Sequence, residues 1–120
     1  MKVWEVHANQ GLDALVLVDR PDPQLKAGQV LIKMSAWSLN YRDLLTVKGA
    51  YGSKQKFPFV PLSDGVGEVV AISGDVIRVK VGDRVAGIFM QTWLSGDLSA
   101  EKSKSALGGA IDGVLAEYVT

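Results

Sequence analysis

Asp43 and Asp64 are carboxylates of a type that serves in general acid–base chemistry, and His7 is the single imidazole of the chain. Neither carboxylate has a partner visible at a workable spacing, so each reads, on its residues alone, as a helix-turn or surface group. His7 falls in or beside the first apolar stretch, with no further ligands and no nucleophile to pair with, and reads as structural. Trp4, Trp37 and Trp93 have faces that stack on bases or on a nicotinamide. Trp93 is the best placed of the three because it lies in a long connection, although rings in β-rich domains mostly pack a core or a rim. Gly65-Val66-Gly67-Glu68-Val69-Val70 opens like a dinucleotide-binding fingerprint, but Val70 stands where the third glycine belongs. The run also leads into β-branched residues, whereas the fingerprint opens a helix whose N-terminus receives a pyrophosphate. These glycines instead read as a place where a strand bends or passes close to another backbone. The stretch around Gly49, Gly52 and Lys54 does not match a phosphate loop, so the chain carries no nucleotide fold of its own.

The elements that must position these groups are mostly strands. Val30, Ile32, Met34 and Ala36 alternate with Lys33 and Ser35, the period-2 pattern of a half-buried strand. Further β-type runs cover Val3 to Val6, Ala14 to Val18, Val69 to Ile72, Arg84 to Phe89 and Gly113 to Val119. Turn signals separate them at Ala27-Gly28, Ser73-Gly74-Asp75 and Val81-Gly82-Asp83. Short strands punctuated in this way predict a mainly β barrel or sandwich. One short helix interrupts the pattern directly after Leu39. Asn40 is its cap, Asp43 lies in its first turn, Leu44, Leu45 and Val47 give it an apolar side, and Gly49 stops it. Two long connections remain, Lys48 to Leu62 and Gln91 to Asp112, and the second has room for a helical turn near Ser99 to Ala106. Connections of that length in a compact domain are commonly functional.

Composition narrows the function classes. The length is that of one ordinary domain, and 48% hydrophobic residues are enough for a core without covalent staples. With no cysteine there are no disulfides, no thiolate metal site and no cysteine nucleophile. Thirteen basic residues balance thirteen acidic ones, and no basic stripe of the kind nucleic acid requires is present. No apolar stretch approaches the roughly 20 residues of a membrane span, and Met1-Lys2-Val3-Trp4-Glu5 is too short and polar to be a leader. These features point to a soluble, cytoplasmic chain with neither nucleic acid nor membrane as partner.

Four stretches in register resemble the amino-terminal domain of the medium-chain dehydrogenase/reductase superfamily. They are Ser38-Leu39-Asn40-Tyr41-Arg42-Asp43-Leu44 with Lys48-Gly49-Ala50-Tyr51, the run from Pro58 to Val69 through Ser63-Asp64-Gly65-Val66-Gly67, the turn Val79 to Val85, and Ala106 to Val119. The resemblance implies that residues 1–120 form one GroES-like domain, a partly open β-barrel with a short helix after the strand ending near Leu39. It implies too that the cofactor-binding Rossmann domain is absent from this chain. Compared with zinc alcohol dehydrogenases, Asn40 replaces a cysteine ligand, and Ser63 and Asp64 replace a histidine and a glutamate. Arg42 and Leu45 replace a proton-relaying hydroxyl residue and histidine, and the Met90 to Leu107 loop lacks the cysteines of a structural zinc lobe.

The resemblance is therefore to the zinc-free, quinone-oxidoreductase-like branch. It implies an NADP- or NAD-linked enzyme in which the reduced nicotinamide (NADPH or NADH) gives hydride to a small-molecule acceptor, a quinone, enone or related carbonyl, with no metal. Asn40, Tyr51 and Asp43 are the implied catalytic residues, and Asn40, Tyr41, Tyr51 and Asp64 the implied cofactor-side wall. A full-length homodimer is implied, with the fragment alone binding NADPH very weakly and turning nothing over. Two alternatives stay open: an alcohol dehydrogenase activity in the full-length enzyme, and a non-enzymatic GroES-like interaction module.

Overall fold

The computed structural model describes residues 1–8, 11–51 and 56–120. The glycine and lysine at positions 52 and 54 fall outside them. Strands dominate: β1 (Lys2–Val6), β2 (Leu15–Asp19), β3 (Val30–Ser38), β4 (Asp64–Ile72), β5 (Arg84–Ala86) and β6 (Tyr118–Val119). Two short helices join them, α1 (Tyr41–Val47) and α2 (Ala100–Ser103), and a single 3-10 turn at Gly11–Ala14 leads into β2. β1 and β2 pair as an antiparallel ribbon, and a four-stranded antiparallel sheet runs in the order β5-β4-β3-β6. Isolated bridges, Val3 to Ala116 and Val6 to Phe59, tie the ribbon to the rest without closing the barrel.

The long β3–β4 pair is the frame of the molecule. Its register places Asp64 opposite Ser38 and Gly67 opposite Met34, with irregularities at Leu31/Ile32 and Met34/Ala36 that bend the pair. The glycines at 65 and 67 lie inside β4 and open no helix. A side chain at 67 would lie 2.6 Å from Ile32 Cγ2 and drive into the Lys33 carbonyl. Close backbone approach is therefore what the Gly-x-Gly serves.

Three apolar clusters hold the layers together. Val6, Ala14, Val47 and Phe59 seat α1 against the ribbon. Met34, Leu62, Leu107 and Val114 fill the concave side of β3, and Val3, Val60 and Ala116 join the ribbon to the closing segment. The segment from Pro58 to Asp64 packs into the molecule on its way to β4, with Phe59, Val60, Pro61, Leu62 and Ser63 all buried.

Two expected strands are shorter than their apolar runs. The run from 84 to 89 is a strand only to Ala86, after which Phe89 and Met90 turn toward Leu107 and Ala106. The run from 113 to 119 is a strand only at Tyr118–Val119. Residues 113–117 divide their hydrogen bonds among partners: Gly113 N–H donates to Val60 and Val114 N–H to Leu62, whereas Leu115 accepts from Trp4 and Glu117 from Met34. Apolar content there buries the segment, but no single neighbour supplies a ladder.

His7 is exposed, with Nε2 2.7 Å from Glu5 Oε2. Glu5 is buried and also accepts from Arg20, whose other arm reaches Asp112 at 2.7 Å. Burial pulls the Arg20 pKa down, but hydrogen bonds to Asp112 and Glu5 outweigh it, and the net shift is upward.

In the turn before β5, Asp83 accepts from the Lys80 ammonium at 2.7 Å and from Lys80 N–H at 3.0 Å. These bonds, the ammonium first, hold the Asp83 carboxyl below its usual range. A depressed folded-state pKa contributes stability above the unfolded value of about 3.9. That contribution is lost as the pH falls through the lower folded value. Carbon-13 titration of the Asp83 carboxyl is expected to give a midpoint below that of an unstructured aspartyl peptide. Lys80→Met should move it part of the way back, because the backbone donor remains; an unmoved midpoint would contradict this assignment.

Candidate functional site

β3 delivers the chain to the site at its end. After Ser38 the backbone turns at Asn40, which is extended (φ −116°, ψ 153°), and enters α1 through a capping box. Asp43 Oδ2 accepts the Asn40 N–H at 2.8 Å and so closes the helix start. Asn40 is thereby fixed through its backbone, and its side-chain nitrogen donates to Asp64 Oδ2 at 2.8 Å. Asp64 is the first residue of β4, directly across from the last residue of β3. Both partners are exposed, so the amide–carboxylate pair stands on the surface at one end of the β3–β4 frame.

The remaining residues named from sequence fall around this pair at different depths. Tyr41 is 75% exposed at the start of α1. Tyr51, half exposed, lies beyond the helix with its ring 5.0 Å from the Arg42 guanidinium. Asp43 is buried beneath Asn40, with Oδ2 in the helix cap and Oδ1 in no hydrogen bond. The structure thus brings Asn40 and Asp64 together and places Tyr51 against the next residue but one of α1, whereas Asp43 supports the wall from below.

Trp93, the favoured aromatic of the long loop, donates its indole N–H to the Gly96 carbonyl at 2.8 Å, and Trp37 donates to the Val114 carbonyl. Both rings are fixed by their own surroundings. The loop around Trp93 contains the helical turn expected near Ser99 to Ala106, as α2, and the Ser99 side chain caps it by accepting from Lys102 N–H.

Sequence reasoning passed over Arg42 except as a replaced relay residue. Its guanidinium lies over the rings of Tyr51 (5.0 Å) and Phe89 (4.5 Å) and donates to the Leu107 carbonyl at 3.1 Å. The available signal is weak: one cation in the first turn of a helix whose buried residues are Asp43, Thr46 and Val47.

The donor set does not suit zinc. Asn40 turns an N–H toward Asp64, and Ser63 is buried beside that single carboxylate. Among the described residues no three histidine, cysteine, aspartate or glutamate side chains gather. Zinc sites use three or four nitrogen, sulfur or carboxylate ligands. Among the described residues, too, no helix is long and apolar enough to cross a membrane.

Comparison with known proteins agrees with this architecture. Residues 26–120 match the alcohol dehydrogenase GroES-like domain. The chain is 40% identical over 109 residues to a zinc-type alcohol dehydrogenase-like protein of Schizosaccharomyces pombe, covering 90% of this chain and 32% of that protein. It is 41% identical over 80 residues to the chloroplastic quinone-oxidoreductase QR1 of Triphysaria versicolor, covering 65% of this chain and 24% of that one. A crystallised candidate alcohol dehydrogenase of Sinorhizobium meliloti 1021 superposes with a TM-score of 0.86 at 38% identity, over 98% of this chain and 35% of that one. The chain spans about a third of the length of such relatives. It belongs to the alcohol dehydrogenase GroES-like domain family of the medium-chain dehydrogenase/reductase superfamily.

Proposed function

We propose that this chain is the substrate-side half of an NAD(P)H-dependent reductase that delivers hydride to a quinone, enone or related carbonyl without zinc. The observation that carries the reading is the Asn40–Asp64 pair, an exposed amide hydrogen-bonded to one carboxylate at the end of the β3–β4 frame. Such a pair orients hydrogen bonds but makes a poor grip for a Lewis-acidic ion. The 41% identity to a quinone oxidoreductase supports the same direction.

A bound nicotinamide would supply the hydride. The chain's own residues have other tasks. Asn40, held through its backbone by Asp43 and through its amide by Asp64, presents a fixed polar edge to whatever lies against the wall. Tyr41 and Tyr51 offer exposed aromatic faces and phenol donors. As hydride arrives at the acceptor carbon, negative charge grows on the acceptor oxygen, and the Tyr51 hydroxyl is the donor we assign to meet it. Proton delivery then falls to that phenol or to solvent.

The test uses the full natural polypeptide carrying these residues, freed of metal with a chelator. Oxidation of NADPH or NADH by 1,4-benzoquinone or a simple enone is expected to continue unchanged after chelation, with alcohol oxidation much slower. Stoichiometric tightly bound zinc, together with chelator-sensitive alcohol oxidation, would overturn the zinc-free reading. Catalytic inactivity toward every acceptor would favour an interaction module instead.

A further inference from the structure

We propose that Arg42 is a positioning residue, a guanidinium wedge that sets the orientation of Tyr51; the inference rests on the role given to Tyr51 above and deepens it.

Arg42 leaves the first turn of α1 and reaches both long connections of the chain. Its guanidinium carbon lies over two rings, that of Tyr51 at 5.0 Å and that of Phe89 at 4.5 Å. One end is fixed by donation to the Leu107 carbonyl at 3.1 Å. The seat is tight, since a side chain at Gly109 would lie 2.8 Å from Arg42 Nη2. Only 15% of the Arg42 side chain is exposed, so the stack is largely withdrawn from water, where cation–π attraction is strongest. A planar guanidinium set over aromatic rings also presents a plane, which a lysine ammonium cannot do.

The polar accounting argues that this cation is not there for packing alone. Arg42 Nε and Asp43 Oδ1 are both buried without hydrogen-bond partners, and the nearest approach of the two charged groups is 4.0 Å. Burying a charge with incomplete compensation is costly, and an apolar side chain of similar volume would fill the same space without that cost. What an apolar residue would not supply is a charged plane under the Tyr51 ring. Tyr51 is half exposed and follows the helix in a long connection. Its hydroxyl is useful to a reacting oxygen only if the ring is held at one angle, because catalytic hydrogen bonds lose their effect with displacements of about 1 Å.

The test is made in the full natural polypeptide, with 3-fluorotyrosine placed at position 51 as a fluorine-19 probe. Arg42→Met and Arg42→Lys are each expected to shift and broaden the signal. Both should lower kcat for a quinone about tenfold with little change in KM, and Lys should fail to rescue despite keeping the charge. Phe89→Leu, which removes the second ring against the guanidinium, should shift the same signal by less; it keeps the test decisive if an Arg42 variant folds poorly. In a Tyr51→Phe background, which has no hydroxyl to orient, Arg42→Lys is expected to cost no further kcat.

A fluorine signal unmoved by the Arg42 and Phe89 variants would overturn the proposal, as would an undiminished kcat loss in the Tyr51→Phe background. The failure of the underlying reading looks different. A neutral Tyr51→Phe with a moved fluorine signal would remove the donor role of Tyr51, and with it the catalytic consequence, while leaving the stack in place.

Discussion

Gly113→Ala is expected to destabilise the fold by about 3 kcal/mol, near the upper end for overpacking substitutions. A Cβ at 113 would lie 2.7 Å from the Pro61 carbonyl carbon and press on the carbonyl oxygens of Pro61 and Leu62. These are main-chain atoms, so no rotamer change relieves the clash. The segment they belong to has little slack. Leu62 is 4% exposed and sits at φ 71°, in the left-handed region where a leucine is itself strained. Gly113 N–H donates to Val60 at 2.7 Å and Val114 N–H to Leu62 at 3.0 Å, so moving one strand of this contact moves both.

Thermal unfolding should show the effect as a fall in Tm of about 10 °C or more. Gly74→Ala, where a Cβ meets nothing within 4 Å, is the control and should melt like the parent. If Gly113→Ala melts within about 2 °C of the parent, the segment is not packed as described. The prediction bears on the site, because Ser63 and Asp64 follow Leu62 directly.

Local patterns carried much of this fold and little of the site. The alternation at Val30 to Ala36 announced β3, and Ser38 through Gly49 announced the helix with its cap and its stop. Gly49 indeed ends α1 with φ 69°. The β-branched residues after Gly67 rightly ruled out a nucleotide-binding turn. What short-range pattern could not show was which segment supplies partners to which. Residues 113–117 read as a strand because they are apolar, yet their hydrogen bonds are shared among several neighbours.

Asn40 and Asp64 are 24 residues apart, and only the β3–β4 register, with Ser38 opposite Asp64, makes them neighbours. They were named in advance through family resemblance and not through spacing. Arg42 illustrates the remaining gap. Its importance lies in two rings and a carbonyl contributed by distant parts of the chain, and a lone cation at a helix start does not reveal them.

Asn40→Ala is expected to lower kcat/KM for quinone reduction in the full natural polypeptide by about 10- to 100-fold, mostly through kcat. The substitution removes one half of the capping box, the side chain of residue 40 facing the Asp43 N–H, and leaves the other, Asp43 Oδ2 on the backbone N–H of residue 40, which alanine retains. Stability should therefore fall by about 1 kcal/mol, too little to unfold the domain, so a loss of activity of about 10- to 100-fold reports on the missing amide. That amide donates to Asp64 at 2.8 Å, so its removal also frees the carboxylate to swing toward solvent.

Asp64→Ala should be costly for the same reason, and the double variant should be little worse than either single one, since the two side chains act as a unit. Independent, additive losses would mean that the pair does not work together. A kcat/KM for Asn40→Ala within about twofold of the parent would place the reacting atoms beyond this amide's reach. A hydrogen-bonded amide that no chemistry uses would then be only the latch between β4 and the start of α1, and the wall facing the substrate would have to be sought nearer Tyr41 and Tyr51.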